Sequence, residues 1–345
     1  MKISRRKTSN AYAKAGVDID LGNKVKSRLP ALIRSTHRPE VLSRIGQFGG
    51  LFDARFKGHE EPVLVSSIDG VGTKLKVAAL AGSHVSIGED LVNHCVNDIA
   101  VLGAEPLFFL DYIGTGKLEP KVFHDIITGL VKGCKRAGCS LIGGETAQMP
   151  GVYQDKDYDL VGTIVGIVDR KKILNGSSIR PGDVVIGFPS TGLHTNGFSL
   201  ARRILFNNLK LKLSDYIPGS KRKVGQALLA VHTNYQPMLK KLSTLVNFKG
   251  LAHITGGGFI DNIPRVLPEG TGVEIQIGSW PVPLIFRFLG NQGKLPLREA
   301  FQVFNMGIGM TAIVSPDDAK KIIRLTRSYV IGHVVKGDRH VDLIV

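Results

Sequence analysis

The sequence Asp69-Gly70-Val71-Gly72-Thr73-Lys74 follows residues 63–68 (VLVSSI), whose aliphatic and small side chains predict a β-strand. A strand that ends in Asp and a Gly-x-Gly turn exposes a carboxylate at the edge of a sheet. The two glycines allow backbone N–H groups to face a ligand, while Thr73 and Lys74 add a hydroxyl and a positive charge. The stretch predicts either a site for a phosphate with a hard cation or an ordinary Asp-Gly turn.

This loop differs from the common nucleotide-binding loops. The chain contains no G-x-x-x-x-G-K-[ST] sequence, and Leu75 stands where a dinucleotide-binding loop would continue towards a third glycine. A nucleotide bound here would therefore be held by carboxylates that share a metal ion.

Two further segments carry acidic groups. Ser86 and Glu89 have capping-box spacing at the start of a predicted helix, along which Asp90, His94 and Asp98 recur at steps of four, with Asn93 and Asn97 beside them. This row without Lys or Arg favours a cation-binding role over a solvated face. Residues 139–142 predict a short strand that leads into Gly143-Gly144-Glu145. We therefore expect Asp69, Asp98 and Glu145, from three segments, to supply oxygen ligands for Mg²⁺ on a polyphosphate.

The second half repeats the strand, polar loop and helix pattern. A break at about 169–181 precedes the strand 184–188, the loop 189–197 and a helix predicted at 198–206. Such a helix N-terminus could hold an anion, while His194 could be catalytic or a loop-packing residue. Residues 252–258 repeat the design with three glycines, Gly256, Gly257 and Gly258, which favour close approach of a phosphate or carbonyl oxygen.

Composition narrows the class of protein. A chain of 345 residues suggests about two domains at roughly 150 residues each. The net charge of +16 fits anionic substrates as well as nucleic acid, but the basic residues are scattered without aromatic interleaving, so we expect no nucleic-acid partner. Three cysteines without metal-binding spacing and the lack of a long apolar run predict a cytoplasmic protein without a membrane span.

Eight stretches in the same order resemble the phosphoribosylformylglycinamidine cyclo-ligase (aminoimidazole ribonucleotide synthetase) family, from about Tyr12 to the C-terminus. They are AGVDID (15–20), DGVGTK (69–74), VNDIAVLGAEPLFFLDYIGTGKL (96–118), GGETAQMPGVY (143–153), STGLHTNGFSL (190–200), HITGGGF (253–259), NIPRVLP (262–268) and FNMGIGM (304–310). Each is weak alone, and together they are highly specific.

The resemblance implies an α+β, two-domain protein: a disordered basic tail (1–14), an ATP- and Mg²⁺-binding, dimerisation domain (15–170) whose mixed sheet pairs across a homodimer into a β-barrel, and a C-terminal αβ domain (171–345). It implies ATP-dependent closure of the imidazole ring of formylglycinamidine ribonucleotide, through an imidate phosphate, to aminoimidazole ribonucleotide, ADP and phosphate. A requirement for K⁺ stays open.

The resemblance also assigns residues by position. Asp69, Asp98 and Glu145 become Mg²⁺–ATP ligands, with Asn97 in support; Gly70, Gly72, Thr73 and Lys74 become phosphate-loop residues; and Gly16, Val17 and Asp18 become a flap over ATP. His194, Asn196 and His253 are expected on the substrate side. His194, His253 and Lys74 are the catalytic candidates, and we infer that Thr255–Gly258 hold the ribose phosphate.

The chain departs from the family pattern at two positions. Ile68 stands where Thr is common and Gln148 where Glu is frequent, and both could tune the affinity for metal or ATP. The alternatives are another ATP-using enzyme of the superfamily, of selenophosphate synthetase or thiamine-phosphate kinase type, and a non-catalytic nucleotide- or nucleic-acid-binding module.

Overall fold

The computed structural model describes residues 13–345. Of the predicted basic tail, residues 1–12 lie outside the described part. The division into domains at 170/171 stays a prediction, although the described residues form two sheets, each with helices packed against it.

The first half contains one four-stranded sheet. Its elements are α1 (Ile19–Lys26), α2 (Pro30–Arg34), β1 (Pro62–Gly70), α3 (Lys74–Ala81), α4 (Val85–Ala100), β2 (Glu105–Thr115), α5 (Pro120–Ala137), β3 (Ser140–Gln148) and β4 (Tyr158–Asp169). The strand order is β1-β4-β2-β3, with β2 and β3 parallel and the other pairs antiparallel. The sheet is therefore mixed, with β1 and β3 at its two edges.

One face of this sheet is covered and the other is open. The apolar stripe of α4, including Ile87, Leu91, Cys95 and Ile99, is completely buried in a core that α4 and α5 build over the sheet. On the opposite face, Leu64 and Ile68 are 58% and 67% exposed. Because strand side chains alternate between faces, Ile68 points away from the face that carries Asp69. The expectation that Ile68 tunes the Asp69 site through a missing hydroxyl is therefore wrong.

The second half contains a six-stranded sheet of order β10-β7-β9-β5-β8-β6. Its strands are β5 (Val184–Pro189), β6 (Phe248–His253), β7 (Thr271–Gln276), β8 (Ile308–Val314), β9 (Tyr329–Lys336) and β10 (Val341–Ile344). Its α-helices are α6 (Phe198–Arg202), α7 (Val224–Leu228), α8 (Gln236–Leu242), α9 (Gly258–Asn262), α10 (Leu284–Gly293), α11 (Leu297–Val303) and α12 (Pro316–Leu325), with 3-10 turns at Arg170–Lys172 and Ile263–Val266 and a π turn at Arg203–Asn208. The helix predicted at 198–206 thus changes to π geometry after Arg202. None of the described helices combines the length and apolarity that crossing a membrane requires.

Two local predictions are corrected by tertiary packing. The Ser86–Glu89 capping box does not form, because α4 begins at Val85 with His84 at the N-cap position, and Ser86 therefore lies inside the helix. The buried Glu89 carboxylate pairs instead with Lys132, 2.7 Å away, and with Arg136. Gly143-Gly144-Glu145 is part of β3 rather than a loop after it, since Leu110 and Asp111 of β2 pair with the two glycines. A side chain at position 144 would collide with Asp111, which explains glycine in the middle of this strand.

Candidate active site

The end of β1 and the last turns of α4 bring two carboxylates to one imidazole. His94 Nε2 lies 2.7 Å from Asp69 Oδ2 and 3.7 Å from Asp98 Oδ2. His94 and Asp98 are one helical turn apart, so both face the strand that ends at Asp69. The imidazole is buried, whereas the Asp69 and Asp98 side chains keep 44% and 24% exposure. The open edges of both carboxylates therefore remain available to a ligand.

A histidine from the second half of the chain completes this group. His253, the last residue of β6, places Nδ1 2.8 Å from Asp98 Oδ1, across 155 positions of sequence. Ser67 Oγ donates to the other oxygen of Asp98 at 3.2 Å. The site therefore lies between the two halves of the chain, and each half supplies some of its residues.

The charges of the group follow from burial and pairing. Burial opposes a charged His94, but hydrogen bonding to Asp69 and the nearby Asp98 outweigh it, so the pKa of His94 is raised. Burial would raise the pKa values of Asp69 and Asp98, yet their contacts with His94 and His253 lower both. Burial lowers the pKa of His253 more than Asp98 raises it. At neutral pH the group has ionised carboxylates and a neutral His253.

A hydrogen-bonded chain links the two carboxylates behind the site. His253 Nε2 lies 2.9 Å from His232 Nε2, His232 Nδ1 lies 3.4 Å from Thr195 Oγ1, and Thr195 Oγ1 lies 2.6 Å from His94 Nδ1. Because Nδ1 of neutral His253 faces Asp98, it carries the ring proton, and Nε2 accepts from His232. All four residues of this chain are buried, so it is shielded from bulk water.

His194 lies beside this chain. Its ring stacks on His232 at 4.0 Å between centroids and 20° between planes. Nε2 accepts from the amide of Thr191 at 3.3 Å, whereas the buried Nδ1 has no hydrogen-bond partner among the described residues. Burial, reinforced by neighbouring cationic groups, holds the pKa of His194 well below its usual value. His194 is thus a neutral imidazole with one unused nitrogen.

His232 is a site residue that the sequence reasoning missed. Burial, together with the nearby histidines, puts its pKa well below the usual value. A signal existed, because the tripeptide His-Thr-Asn occurs at 194–196 and again at 232–234. The two copies face each other through the stacked rings of His194 and His232.

The sequence predicted that Lys74 binds a phosphate, but its side chain lies in the protein interior. Its side chain is completely buried, with Nζ 2.7 Å from Asp90 Oδ2 and donating to the carbonyl of Ala230 at 2.7 Å. Asp90 Oδ1 in turn accepts from the amide of His232 at 2.7 Å. The prediction of Lys74 as a phosphate-binding and catalytic residue is therefore wrong: its ammonium joins α3, α4 and the loop that carries His232.

Asn97 has a similar structural task. It is completely buried, and its amide donates to the carbonyl of Thr233 at 2.8 Å and accepts from the amide of Tyr235 at 2.9 Å. Nδ2 also lies 3.2 Å from His232 Nε2. Its polar atoms thus serve the 232–235 loop, which contradicts the prediction that Asn97 contacts the cofactor.

Glu145 is not brought to Asp69 and Asp98 within one chain. In the sheet register Asp69 aligns with Gly162, Asp111 and Gly144, so β1 and β3 are three strand spacings, about 14 Å, apart. Glu145 aligns with Tyr112, on the open face opposite to Asp69. The predicted set of three carboxylates is therefore not formed by a single protomer.

The predicted flap at Gly16, Val17 and Asp18 is docked on the end of β3. The Asp18 amide donates to Gln148 Oε1 at 3.1 Å, and Gln148 Nε2 donates back to the Asp18 carbonyl at 3.0 Å. Asp18 Oδ1 caps α1 by accepting from Leu21 at 2.9 Å. A glutamate at 148 could not donate, so glutamine specifically suits this contact.

The other predicted loop residues come together between the two halves. Thr73 Oγ1 lies 2.9 Å from Ser199 Oγ, and Gly72 adjoins the 195 carbonyl. The Gly70 N–H donates to Asp69 Oδ1 at 2.6 Å. On the far side, Asn196 adjoins Gly256, and Asn262 holds the glycine loop by donating to the carbonyls of Gly256 and Gly258. Thr255 is also held by Asn262, at 3.3 Å, and Gly257 has φ +92°, which favours glycine.

The side chains of this site offer donor atoms for a cation. Ligand atoms of His94, Asp98 and His253 lie within 4.8 Å of one another, and Asp69 contacts the same imidazole. Both imidazoles already face carboxylates, so the donors left for an ion are the remaining lone pairs of the Asp69 and Asp98 oxygens, which suit Mg²⁺. The residues fit an ion bound through Asp69 and Asp98.

Comparisons with known proteins show the family of the chain. Two family descriptions match: AIR synthase related protein, N-terminal domain, over residues 53–168, and AIR synthase related protein, C-terminal domain, over residues 180–344. A phosphoribosylformylglycinamidine cyclo-ligase of Bacillus mycoides (strain KBAB4) is 50% identical over 334 residues, covering 95% of this chain and 96% of its own. One of Geobacillus thermodenitrificans (strain NG80-2) is 50% identical over 332 residues with the same coverage.

Solved structures share the fold at low identity. Thiamine-monophosphate kinase of Stenotrophomonas maltophilia K279a has a TM-score of 0.67 at 17% identity, covering 95% of this chain and 96% of its own. A hydrogenase maturation protein HypE in complex with ATP has a TM-score of 0.65 at 18% identity, covering 92% of this chain and 90% of its own. These structures establish the predicted α+β two-domain architecture.

Proposed function

The chain belongs to the phosphoribosylformylglycinamidine cyclo-ligase family, and on that premise we propose that it closes the imidazole ring of formylglycinamidine ribonucleotide with ATP. ATP phosphorylates the formyl amide oxygen, the ring-forming nitrogen attacks the activated carbon, and phosphate leaves. The products are aminoimidazole ribonucleotide, ADP and phosphate. Placement of the reacting groups and neutralisation of phosphate charge carry most of the catalysis.

The observation that most directly supports this proposal is the Asp69–His94–Asp98–His253 group, to which both halves of the chain contribute. Asp69 and Asp98 would hold Mg²⁺ through their open oxygens, and the ion would neutralise charge on the transferred phosphoryl group. His94 keeps the two carboxylates together while the site is free of cation. The N–H group of Gly72 and the hydroxyl of Thr73 are the proposed phosphate contacts, whereas the Gly70 N–H already donates to Asp69 Oδ1.

His253 and His194 are the residues proposed to transfer protons during the reaction. Nδ1 of His253 retains its proton and donates it in a hydrogen bond to Asp98. Nε2 accepts the proton of the attacking nitrogen, and this interaction replaces its hydrogen bond with His232. His194, which stacks on His232 and has a buried Nδ1 that is unpartnered among the described residues, is the second proposed residue on the substrate side. Asn196 with Thr255–Gly258 forms the proposed ribose-phosphate side, supported by the close approach of Asn196 to Gly256.

A homodimer would cover the open face of the first sheet. The exposed Leu64 and Ile68 share that face with Leu110 and Tyr112, which are half-buried. A second copy would bury this apolar surface by pairing the two sheets into a barrel. Glu145 lies on the same face, so its proposed part in metal binding would be across the dimer, towards the partner's nucleotide.

The test supplies formylglycinamidine ribonucleotide, ATP and Mg²⁺ and measures aminoimidazole ribonucleotide, with K⁺ added in one arm and omitted in another. We expect product formation to depend on all three compounds. We also propose that the enzyme is cytoplasmic. Absence of product where a relative's enzyme is active would refute the proposal. Thiamine monophosphate in place of the ribonucleotide is the matched control, since the kinase shares only 17% identity.

A further inference from the structure

A separate cavity of about 360 Å³ lies beyond the Asp69 end of the first sheet, where β2 ends at Thr115 and β4 begins at Tyr158. Its apolar floor is formed by Ala79, Ile113, Leu118, Val122, Phe123 and Ile126. This volume is within the range of sites for small organic ligands. None of the residues of the Asp69–Asp98 group lines it.

A buried histidine opens into this cavity. His84 is 5% exposed and lines the wall together with Tyr158. Its Nδ1 lies 2.9 Å from the Tyr158 hydroxyl, and Nε2 has no hydrogen-bond partner among the described residues. Burial lowers the pKa of His84, so the ring is neutral at pH 7 and its free nitrogen can bind a polar ligand group.

The cavity mouth favours a negative charge. α5, which has 18 residues, begins here at Pro120, and no side chain caps its N-terminus. The first N–H groups of the helix, at Lys121 and Val122, therefore have no partner within the helix. Lys117, Lys121 and Lys156 surround the same mouth, and among the described residues Lys117 and Lys156 have no ion pair. Helix amides and ammonium groups together suit a phosphate dianion.

The remaining polar groups suit the body of a nucleotide. Two carboxylates, Glu119 and Asp155, also line the cavity and can accept hydrogen bonds from amino or hydroxyl groups of a base or ribose. The apolar floor provides a surface for a flat ring. Phosphate recognition and ring recognition thus occur side by side in one cavity.

We propose that this cavity is a second ligand site, which takes an aromatic phosphate monoester of the nucleoside monophosphate class with its phosphate at the N-terminus of α5. It is distinct from the proposed ATP site. Tyr158 and Gly162 are four residues apart on β4, and Gly162 aligns with Asp69, so the cavity is about 14 Å along the sheet from Asp69. α3 runs from the loop after Asp69 to the cavity wall at Ala79, and its Lys76 pairs with Asp157 at 2.6 Å.

The experiment is a calorimetric titration of the full chain with AMP, with the ATP site occupied by excess AMPPCP and Mg²⁺. We expect AMP to bind under these conditions, and adenosine and inorganic phosphate to bind at least about tenfold more weakly, because each offers half of the contacts. Val122→Trp fills the cavity and should weaken AMP binding by about tenfold or more. His124→Trp, on the same helix but outside the lining, is the matched control and should bind AMP normally.

His84→Ala is the second variant, used with circular dichroism in case Val122→Trp fails to fold. The proposal is overturned if AMP does not bind at millimolar concentration, if neither cavity variant weakens it, or if AMPPCP competes with AMP for one site. Equal affinity for adenosine and AMP would also overturn it, because phosphate recognition would then be absent. Loss of ring closure in the assay above would not affect this result, since no step of the reaction is measured.

Discussion

His94 Nε2 lies 2.7 Å from Asp69 Oδ2, so an imidazole from the middle of a helix holds the carboxylate at the end of a strand. The contact places the first carboxylate of the sequence pattern beside the second, Asp98, which is 3.7 Å from the same nitrogen. The pairing keeps both carboxylates ionised in a partly buried site, ready for a cation.

Removing the negative charge of Asp69 should impair catalysis more than folding. We expect Asp69→Asn to lower kcat/KM by at least about 10²-fold, about 2.7 kcal/mol of transition-state stabilisation. Asp317→Asn, at an exposed surface pair, is the control and should be active. A near-normal rate for Asp69→Asn in steady-state assays at saturating Mg²⁺ would exclude Asp69 as a metal ligand.

The buried ion pair of Lys74 and Asp90 should be costly to break on one side only. Lys74→Met leaves Asp90 uncompensated in the interior and should lower the free energy of unfolding by about 3–5 kcal/mol in urea titrations. The double variant Lys74→Met/Asp90→Asn should recover part of this loss. Lys320→Met, at an exposed pair, should change stability by at most about 1 kcal/mol. If Lys74→Met were as stable as the parent, the pair would not be structural.

Asp111 should make stability depend on pH. Burial raises its pKa from 3.8 to about 7, so between these values the unfolded chain ionises while the folded chain retains the proton. This contribution destabilises the fold progressively as pH rises from about 4 to 7 and is constant above that. Asp111→Asn should therefore gain stability over the parent at pH 8 but not at pH 4. A difference in unfolding free energy that is the same at both pH values would contradict this assignment.

Gln148→Glu should release the segment around Asp18. A carboxylate cannot donate to the Asp18 carbonyl, so one of two reciprocal bonds is replaced by repulsion between two acceptors. We expect amide hydrogen exchange of residues 16–21 to accelerate by about tenfold, measured by mass spectrometry. Gln302→Glu, far along the sequence on α11, is the control. Unchanged exchange would mean that other contacts hold this segment.

Charging the open face of the first sheet should prevent dimer formation. Ile68→Arg places a cation on the surface that we propose to be covered by a second copy, and sedimentation should then detect monomers. Leu325→Arg, also more than half exposed but on α12, should leave the assembly unchanged. A parent protein that is monomeric at micromolar concentration would itself rule out the proposed dimer.

Much of the site was predictable because its signals are local. The strand before Asp69, the row of Asp90, His94 and Asp98 at helical spacing, and the glycine loop after His253 depend only on neighbouring residues. The order of eight motifs then predicted the family, which the relatives at 50% identity confirm. The helix row was correctly separated from a solvated face, since Asp90, Asn93, His94 and Asn97 are all buried.

By itself the sequence determined the periodic elements, the family and which residue types could bind a cation, because these depend on short-range spacing. Only the tertiary structure decided how those residues pair. Asp98 meets His253 across 155 positions, Lys74 is neutralised by Asp90 inside the protein, and Glu145 lies three strands from Asp69. The local sequence around a lysine after a glycine loop is the same whether its ammonium contacts a phosphate or a buried carboxylate. In this protein α3 packs against α4, which removes water from the Lys74 ammonium and leaves Asp90 as its partner.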